Sequence, residues 1–254
     1  MNILLTGGTG FIGSHLINEI HSRKFNIFSL KRKSSNSRIR LNKEPNWILD
    51  ENEVELIETM KKCDIFVNCA AIGVSPQKAS WNELINYNIG KSMSLFLMAK
   101  KANIKKFIFM GSSLEMESNS FLSFQDNKDI TPYSVSKSAA FYLFYSYSKL
   151  NNLKMKYLRL PNVYGDGQFP QNLWPSLKKA AFAGKDYKII NNNIIRNFIS
   201  VEKTTKIIAD NLIFDNTIAG SPKIINLEGE KKKVGEFSEY YWKKWQAKGK
   251  LIFR

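Results

Sequence analysis

Short apolar runs alternate with longer amphipathic stretches along most of this chain. Ile3-Leu4-Leu5 is a compact apolar run, and beyond a glycine-rich turn Leu16, Ile17 and Ile20 recur at helical spacing. The two patterns predict a buried strand over 2–6 and a helix over 11–23. Further apolar runs predict strands over 25–30, 46–49, 64–68, 106–111 and 154–160. Helical periodicity predicts helices near 52–61 and 81–101, and one from 132 to the Asn151-Asn152 pair, preceded by a substrate-facing loop over 114–130. Strands alternating with helices in this way predict an α/β fold with a doubly wound parallel sheet. Past residue 160 the pattern loosens, and no internal repeat or low-complexity linker marks a boundary.

Three motifs sit where such a sheet would use them. In Thr6-Gly-Gly-Thr-Gly-Phe-Ile-Gly13 the glycines follow the first strand directly. A strand, a tight glycine turn and a helix start together aim backbone N–H groups at a pyrophosphate. Gly7 permits the turn, Gly10 lets phosphates approach the main chain, and Gly13 lets the helix pack close to the strand. In Thr131-Pro-Tyr-Ser-Val-Ser-Lys137, Thr131 can cap a helix, Pro132 suits its first turn, and Tyr133 and Lys137 share one face at i and i+4. An ammonium beside a phenol favours the phenolate, which makes a proton donor or acceptor for a carbonyl/alcohol interconversion. The third motif is the apolar run Phe107 to Met110 followed by Gly-Ser-Ser113, a strand whose terminal hydroxyls point at the crevice beyond the sheet's carboxyl edge.

On these residues the chain resembles the extended branch of the short-chain dehydrogenase/reductase superfamily, the NAD-dependent epimerases and dehydratases that modify nucleotide sugars. The resemblance implies a Rossmann domain over 1–162, to which 196–210 and 223–228 return. A small C-terminal substrate lobe, shortened here, would comprise 163–195 and 229–254. It implies coenzyme contacts from Gly7, Thr9, Gly10, Phe11, Ile12, Gly13, Ala70, Ala71, Tyr133, Lys137 and Pro161, with Asp50 near the position of an adenine-contacting acid. Tyr133, Lys137 and Ser112 become the catalytic set, and Ser113 is the alternative hydroxyl. Asn88 matches the asparagine that kinks a helix and supports the active-site water and lysine. On the substrate side the matches are Ser113, Asn162, Asn172 and Arg196; the arginine would pair bidentately with phosphate oxygens, although Asn197 stands where the family carries an acid. The chain's ending is similar to a bacterial subgroup of cytidine-diphosphate-sugar 4-ketoreductases, the abequose and paratose synthases. The resemblance also implies a homodimer through the helices at 81–101 and 132–150, with Tyr142, Phe144, Tyr145 and Tyr147 as aromatic surface.

The end of the second strand bears on the coenzyme. NAD-binding sheets of this kind place Asp or Glu there, against the ribose 2′-hydroxyl. Here Ile27-Phe-Ser-Leu30 runs into Lys31-Arg-Lys-Ser-Ser35, and no acid comes before Glu44. Cations without a carboxylate suit a 2′-phosphate. NADP is therefore expected, held by Lys31 and Arg32 with Ser34 assisting; NAD is the alternative. As for the reaction, the family's 4,6-dehydratases carry Asp-Glu directly after the catalytic hydroxyl, whereas Ser113 and Leu114 follow it here and Glu115 comes one position late. Its 3,5-epimerising reductases pair a cysteine with a histidine; that cysteine's place holds Leu114, and both histidines, His15 and His21, lie in the first helix. Simple hydride chemistry remains: NADPH-dependent reduction of the C4 ketone of a nucleoside-diphosphate 4-keto-6-deoxyhexose. The alternatives are an NAD-retaining 4-epimerase and, in a different class, a non-catalytic NADP-binding sensor.

Composition narrows the setting. The 254 residues, 43% hydrophobic, suffice for one large α/β domain with at most a small appendage. No apolar run approaches the ~20 residues of a membrane span, and the opening residues read as a strand rather than a leader, so no membrane partner is expected. Cys63 and Cys69 have no metal-ligand spacing, no metal is expected, and Cys69 reads as a buried thiol of a cytoplasmic protein. A net charge of +16 would suit nucleic acid. The lysines are scattered, however, through Asn- and Ile-rich sequence without interleaved aromatics, so no nucleic-acid partner is expected. A nucleoside-diphosphate sugar and a phosphorylated coenzyme already call for a positive cleft.

Overall fold

A computed structural model describes residues 1–74, 77–115 and 131–254. The first half runs β1 (Asn2–Thr6), α1 (Phe11–Ser22), β2 (Asn26–Lys31), β3 (Asn46–Leu49), α2 (Glu53–Met60) and β4 (Ile65–Asn68). Next come α3 (Trp81–Leu84), a π-helical stretch (Ile85–Lys91), α4 (Ser92–Lys101), β5 (Lys106–Ser112), α5 (Pro132–Leu150) and β6 (Lys154–Leu160). Then follow β7 (Asn162–Tyr164), α6 (Leu173–Phe182), β8 (Tyr187–Ile189), β9 (Ile195–Ser200) and α7 (Val201–Asp210). The last elements are β10 (Lys223–Asn226), β11 (Glu230–Lys233), α8 (Val234–Lys244) and β12 (Leu251–Phe253). From residue 116 onward the expected substrate-facing loop lies outside the described residues.

Seven parallel strands form the main sheet in the order β10-β6-β5-β4-β1-β2-β3. Chain order reverses between β1 and β4, so a crevice opens past their carboxyl ends, where doubly wound sheets take ligands. Strands buried on both faces read as continuous apolar runs, which is why Ile3-Leu4-Leu5 and Ile65-Phe66-Val67 are fully buried. The expected helix over 81–101 is interrupted by its π-helical stretch, the irregularity that α-helices adopt most often at functional sites.

Each face of the sheet carries its own core. Beneath α4 and α5, Phe66, Phe96, Phe107, Phe109 and Phe144 pack edge-on and stacked, with the Phe109 and Phe144 rings 4.2 Å apart. This corrects the expectation of an aromatic dimer surface on α5. Phe144 is 2% exposed, and Tyr145 and Tyr147 pack against the same core, leaving Tyr142 as the exposed ring of the four. The helical period explains it: Phe141, Phe144 and Ser148 lie at i, i+3 and i+7 and face the sheet, while Tyr142 is turned away. On the other face α1 and α7 cover Ile3, Leu5, Ile108 and Leu158, and Arg23 ties the two helices together through Asp210 at 2.7 Å.

Outside the main sheet, β11-β9-β7 form a three-stranded sheet and β12-β8 a parallel pair. Phe198 stacks on Phe237 at 3.9 Å, and Tyr164, Trp174, Tyr241 and Trp245 extend this aromatic core between α6 and α8. Phe144→Ala is expected to lower unfolding free energy by about 3–5 kcal/mol, the usual result of emptying a buried phenylalanine site. Val54→Ala, at a 76% exposed position on α2, should stay within about 0.5 kcal/mol of wild type. Urea denaturation at constant m-value distinguishes the two.

Candidate active site

Sterics at the glycine turn are unforgiving. Gly7 has φ +74°, and a Cβ there would lie 2.7 Å from Ala70 N. At Gly13 a Cβ would sit 2.0 Å from the Gly7 carbonyl oxygen, so α1 can approach β1 this closely only without a side chain. Gly10 N donates to Gly7 O at 2.9 Å, and Gly10 starts α1 without any side-chain cap. First-turn N–H groups that no side chain claims form a ready cradle for a pyrophosphate. The residues present therefore fit a dinucleotide coenzyme. Beside them, Asn68 Oδ1 accepts from Thr6 Oγ1 at 2.6 Å and from Ala70 N at 3.2 Å. That fixes the path of Ala70 and Ala71, both exposed past β4.

At the end of β2, Lys31 lies with its ammonium 5.1 Å from the Trp47 ring centre. Arg32 and Ser34 are exposed, and Arg32 Nε donates to Ser35 Oγ at 3.2 Å. Asp50, one residue past β3, is paired with Lys91 of the π-helical stretch, so its carboxylate already has a cation. Its main-chain N–H donates to Lys31 O at 3.0 Å, joining these two coenzyme-side residues.

Tyr133, Lys137 and Ser112 converge at the carboxyl end of β5. Thr131 caps α5, its hydroxyl accepting from Ser134 N at 3.1 Å, and this starts the helix with Tyr133 in its first turn. Lys137 is buried one turn on, and its Nζ donates to Met110 O at 2.5 Å. Ser112 is the last residue of β5 and is buried; its hydroxyl accepts from Leu114 N at 3.2 Å and favours the ionised form of the Tyr133 phenol. Asn88 is buried too: Oδ1 accepts from Ile72 N at 2.9 Å, and Nδ2 donates to Ile72 O at 3.2 Å and to Ser136 Oγ at 3.0 Å. Its side chain thereby ties the π-helical stretch both to the loop after β4 and to the helix that carries Tyr133 and Lys137.

The electrostatics differ from expectation. The Lys137 ammonium was expected to pull the Tyr133 phenol down. Instead burial pushes that phenol well above its ordinary value, the Glu115 carboxylate adds to the rise, and the Ser112 hydrogen bond opposes it. Burial also lowers Lys137, against the pull of Glu115 and Cys69. Desolvation disfavours both charged forms and is the largest cause of each shift. Burial takes the Cys69 thiol up to about 12, against the opposing effect of Lys137, and so leaves it protonated and a poor nucleophile.

Glu115, one position late for a dehydratase's acid, has partners that its motif does not show. It is buried, forms an ion pair with Arg159 at 3.0 Å and accepts from the Tyr157 hydroxyl at 2.7 Å. It also borders a cavity of about 530 Å³ together with Ser113, Arg159, Asn197, Asn226 and Lys231. Among the expected substrate-side residues, Ser113 is part of that lining. Asn162 Nδ2 donates to Asn197 O at 3.2 Å at the junction of β7 and β9. Asn172 begins α6, and its side chain makes no cap bond there. Arg196 is exposed on β9 and is not part of the cavity lining. Its neighbour Asn197, standing for the family's acid, accepts from Gly229 N at 2.9 Å, which needs only an oxygen acceptor. Pro161 is buried directly after β6. Among the described residues there is no group of three or more side chains able to hold a metal ion, and no helix long and apolar enough to cross a membrane.

A doubly wound sheet, a glycine cradle at its first turn and a Ser-Tyr-Lys cluster at its carboxyl edge define a nicotinamide-dinucleotide type of α/β protein. The NAD dependent epimerase/dehydratase family model matches residues 3–212, and the chain belongs to that family. It is 26% identical over 179 residues to the decarboxylating sterol-4-alpha-carboxylate 3-dehydrogenase of Dictyostelium discoideum, covering 65% of this chain and 54% of that protein. To the dTDP-D-glucose 4,6-dehydratase of the same organism it is 32% identical over 203 residues, covering 68% of this chain and 46% of that protein. The chain thus spans about half the length of these curated relatives. The solved structure of MoeE5 in complex with UDP-glucose and NAD superposes with a TM-score of 0.77 at 22% identity, over 100% of this chain and 85% of that one.

Gly13→Ala is expected to push the start of α1 away from β1 and so move a first-turn N–H donor off the pyrophosphate. Loss of one charge-assisted hydrogen bond, about 1.5–3 kcal/mol, is a fall in coenzyme affinity of about ten-fold or more. Calorimetric titration with NAD and NADP measures it.

Proposed function

We propose that this chain is a nucleotide-sugar oxidoreductase that reduces the C4 ketone of a nucleoside-diphosphate 4-keto-6-deoxyhexose, with NADPH as the preferred coenzyme. The observation that carries the reading is the joint placement of Ser112, Tyr133 and Lys137 at the carboxyl end of β5, on the same edge of the sheet as the glycine turn after β1. Family membership and the nucleotide sugar in MoeE5 support the substrate class. The stretches 163–195 and 229–254 form the substrate lobe in this reading, with Asn162, Asn172 and Arg196 on the diphosphate side.

The coenzyme supplies the hydride. Tyr133, whose phenol burial keeps protonated at ordinary pH, donates its proton to the oxygen developing at C4. Ser112 Oγ donates a hydrogen bond to the same oxygen, a fixed dipole aimed where charge develops. Lys137, anchored on Met110 O, offsets the charge left on the phenolate. Lys31, Arg32 and Ser34 meet the 2′-phosphate; the exposure of Arg32 and Ser34 beyond β2 supports NADP over NAD. A second copy of the chain pairs across α3, α4 and α5, where Trp81, Leu97, Leu143 and Leu150 are exposed.

Tyr133→Phe should lower turnover by about 10²–10⁴-fold, the range of one lost general acid, a far larger change than in coenzyme affinity. The assay is NADPH oxidation with a panel of 4-keto sugar nucleotides. Sugar interconversion without added reductant would replace the reductase by the 4-epimerase. A wild type inert in both assays, with function in cells indifferent to Tyr133→Phe, would favour the sensor. Arg32→Ala should weaken NADP by about ten-fold, as expected for one lost phosphate pair, and leave NAD as it is.

A further inference from the structure

Glu115 has no part in the hydride chemistry, yet its side chain is wholly buried. A buried carboxylate persists only where donors surround it, and this one has three among the described residues. Oε1 accepts the main-chain N–H of Ser112 at 2.6 Å and the Tyr157 hydroxyl at 2.7 Å, and Oε2 accepts Arg159 Nε at 3.0 Å. The neighbouring strands are shaped to admit it. β5 and β6 pair Gly111 with Arg159 and Phe109 with Tyr157, and a Cβ on Gly111 would lie 2.3 Å from Tyr157 Cε1 and 2.7 Å from Glu115 Oε1. Gly111 is needed here for space. The Arg159 guanidinium in turn lies 4.8 Å over the Phe141 ring, which fixes its orientation.

We propose that Glu115 is a positioning residue: through its bond to the Ser112 main-chain N–H it holds the Ser112 hydroxyl against Tyr133, and Tyr157 and Arg159 clamp the carboxylate in that place. The proposal rests on the reading of Tyr133 and Ser112 as the reacting pair. Among the described residues, the charged and titratable groups that face Glu115 are Tyr133 and Lys137 from α5 and Tyr157 and Arg159 from β6. Its negative charge therefore bears on the same phenol whose partner hydroxyl it places. The sign follows directly: an anion beside Tyr133 disfavours the phenolate, so neutralising that anion lets the phenol ionise at lower pH.

The test uses the full chain labelled with [ζ-¹³C]tyrosine, with Tyr133→Phe assigning the Tyr133 resonance. In Glu115→Gln the Tyr133 resonance should titrate at lower pH than in wild type. In the reductase assay kcat should fall about ten- to a hundred-fold, the effect of a displaced catalytic group, with KM for the sugar nucleotide nearly unchanged. Tyr157→Phe removes one corner of the clamp and keeps the charge, so kcat should fall by a smaller factor while the Tyr133 titration stays in place. A folded Glu115→Gln with wild-type titration and wild-type kcat overturns the proposal. Should that variant fail to fold, an unchanged kcat in Tyr157→Phe overturns it. A wild type inert towards every 4-keto sugar nucleotide sinks the reduction itself, and the titration still decides the role of Glu115.

Discussion

Charges held close together at low exposure govern the working end of this molecule. Lys137 and Glu115 are buried beneath the carboxyl edge of β5, where each would be strongly disfavoured alone, and Arg159, its side chain 11% exposed, pairs with Glu115 from the cavity side. They persist because neutral donors and acceptors complete their shells: Met110 O for the ammonium, Ser112 N and the Tyr157 hydroxyl for the carboxylate. Every one of these partners depends on the register between β5, β6 and α5. The geometry of the site is therefore locked to the packing of the sheet.

That packing has two supports. The aromatic core around Phe96, Phe109 and Phe144 seats α5 on β5 and so fixes the height of Tyr133 and Lys137 above the sheet. Asn88 adds a polar brace from the π-helical stretch to Ser136 and to Ile72. At the other side of the crevice, the absence of a Cβ on Gly13 lets α1 close onto β1. The glycine turn after β1 and the Ser112–Tyr133–Lys137 cluster at β5 and α5 thus lie at the same carboxyl edge of one sheet.

Much of this was legible along the chain, and the physical reason is locality. The strand, glycine turn and helix of residues 2–23, the Thr131 cap and the Tyr133/Lys137 face all arise from contacts within one or two turns of backbone. Glu115 was not legible, because its meaning comes from Tyr157 and Arg159 on a strand some forty residues away and from the cross-strand pairing that sets them beside Gly111. The β8–β12 pair is hidden for the same reason, joining residues 187–189 to 251–253. Phe144 misled for another: among closely spaced aromatics, composition alone does not say which face of α5 meets the sheet. The phenol's electrostatics misled because pairwise attraction was weighed without desolvation, and in a site this buried desolvation is the larger effect.

The central claim is that a reacting sugar carbon sits between the coenzyme cradle and the Ser112–Tyr133 pair. Its most direct test is isotopic. The chain is mixed with NADPH carrying deuterium at the transferable C4 position and with a nucleoside-diphosphate 4-keto-6-deoxyhexose, and the product is analysed by mass spectrometry and NMR. The expected result is a 4-hydroxy sugar with deuterium at its C4, formed in step with coenzyme oxidation. Product without label at that carbon, or no product from a chain that binds both partners, would contradict it.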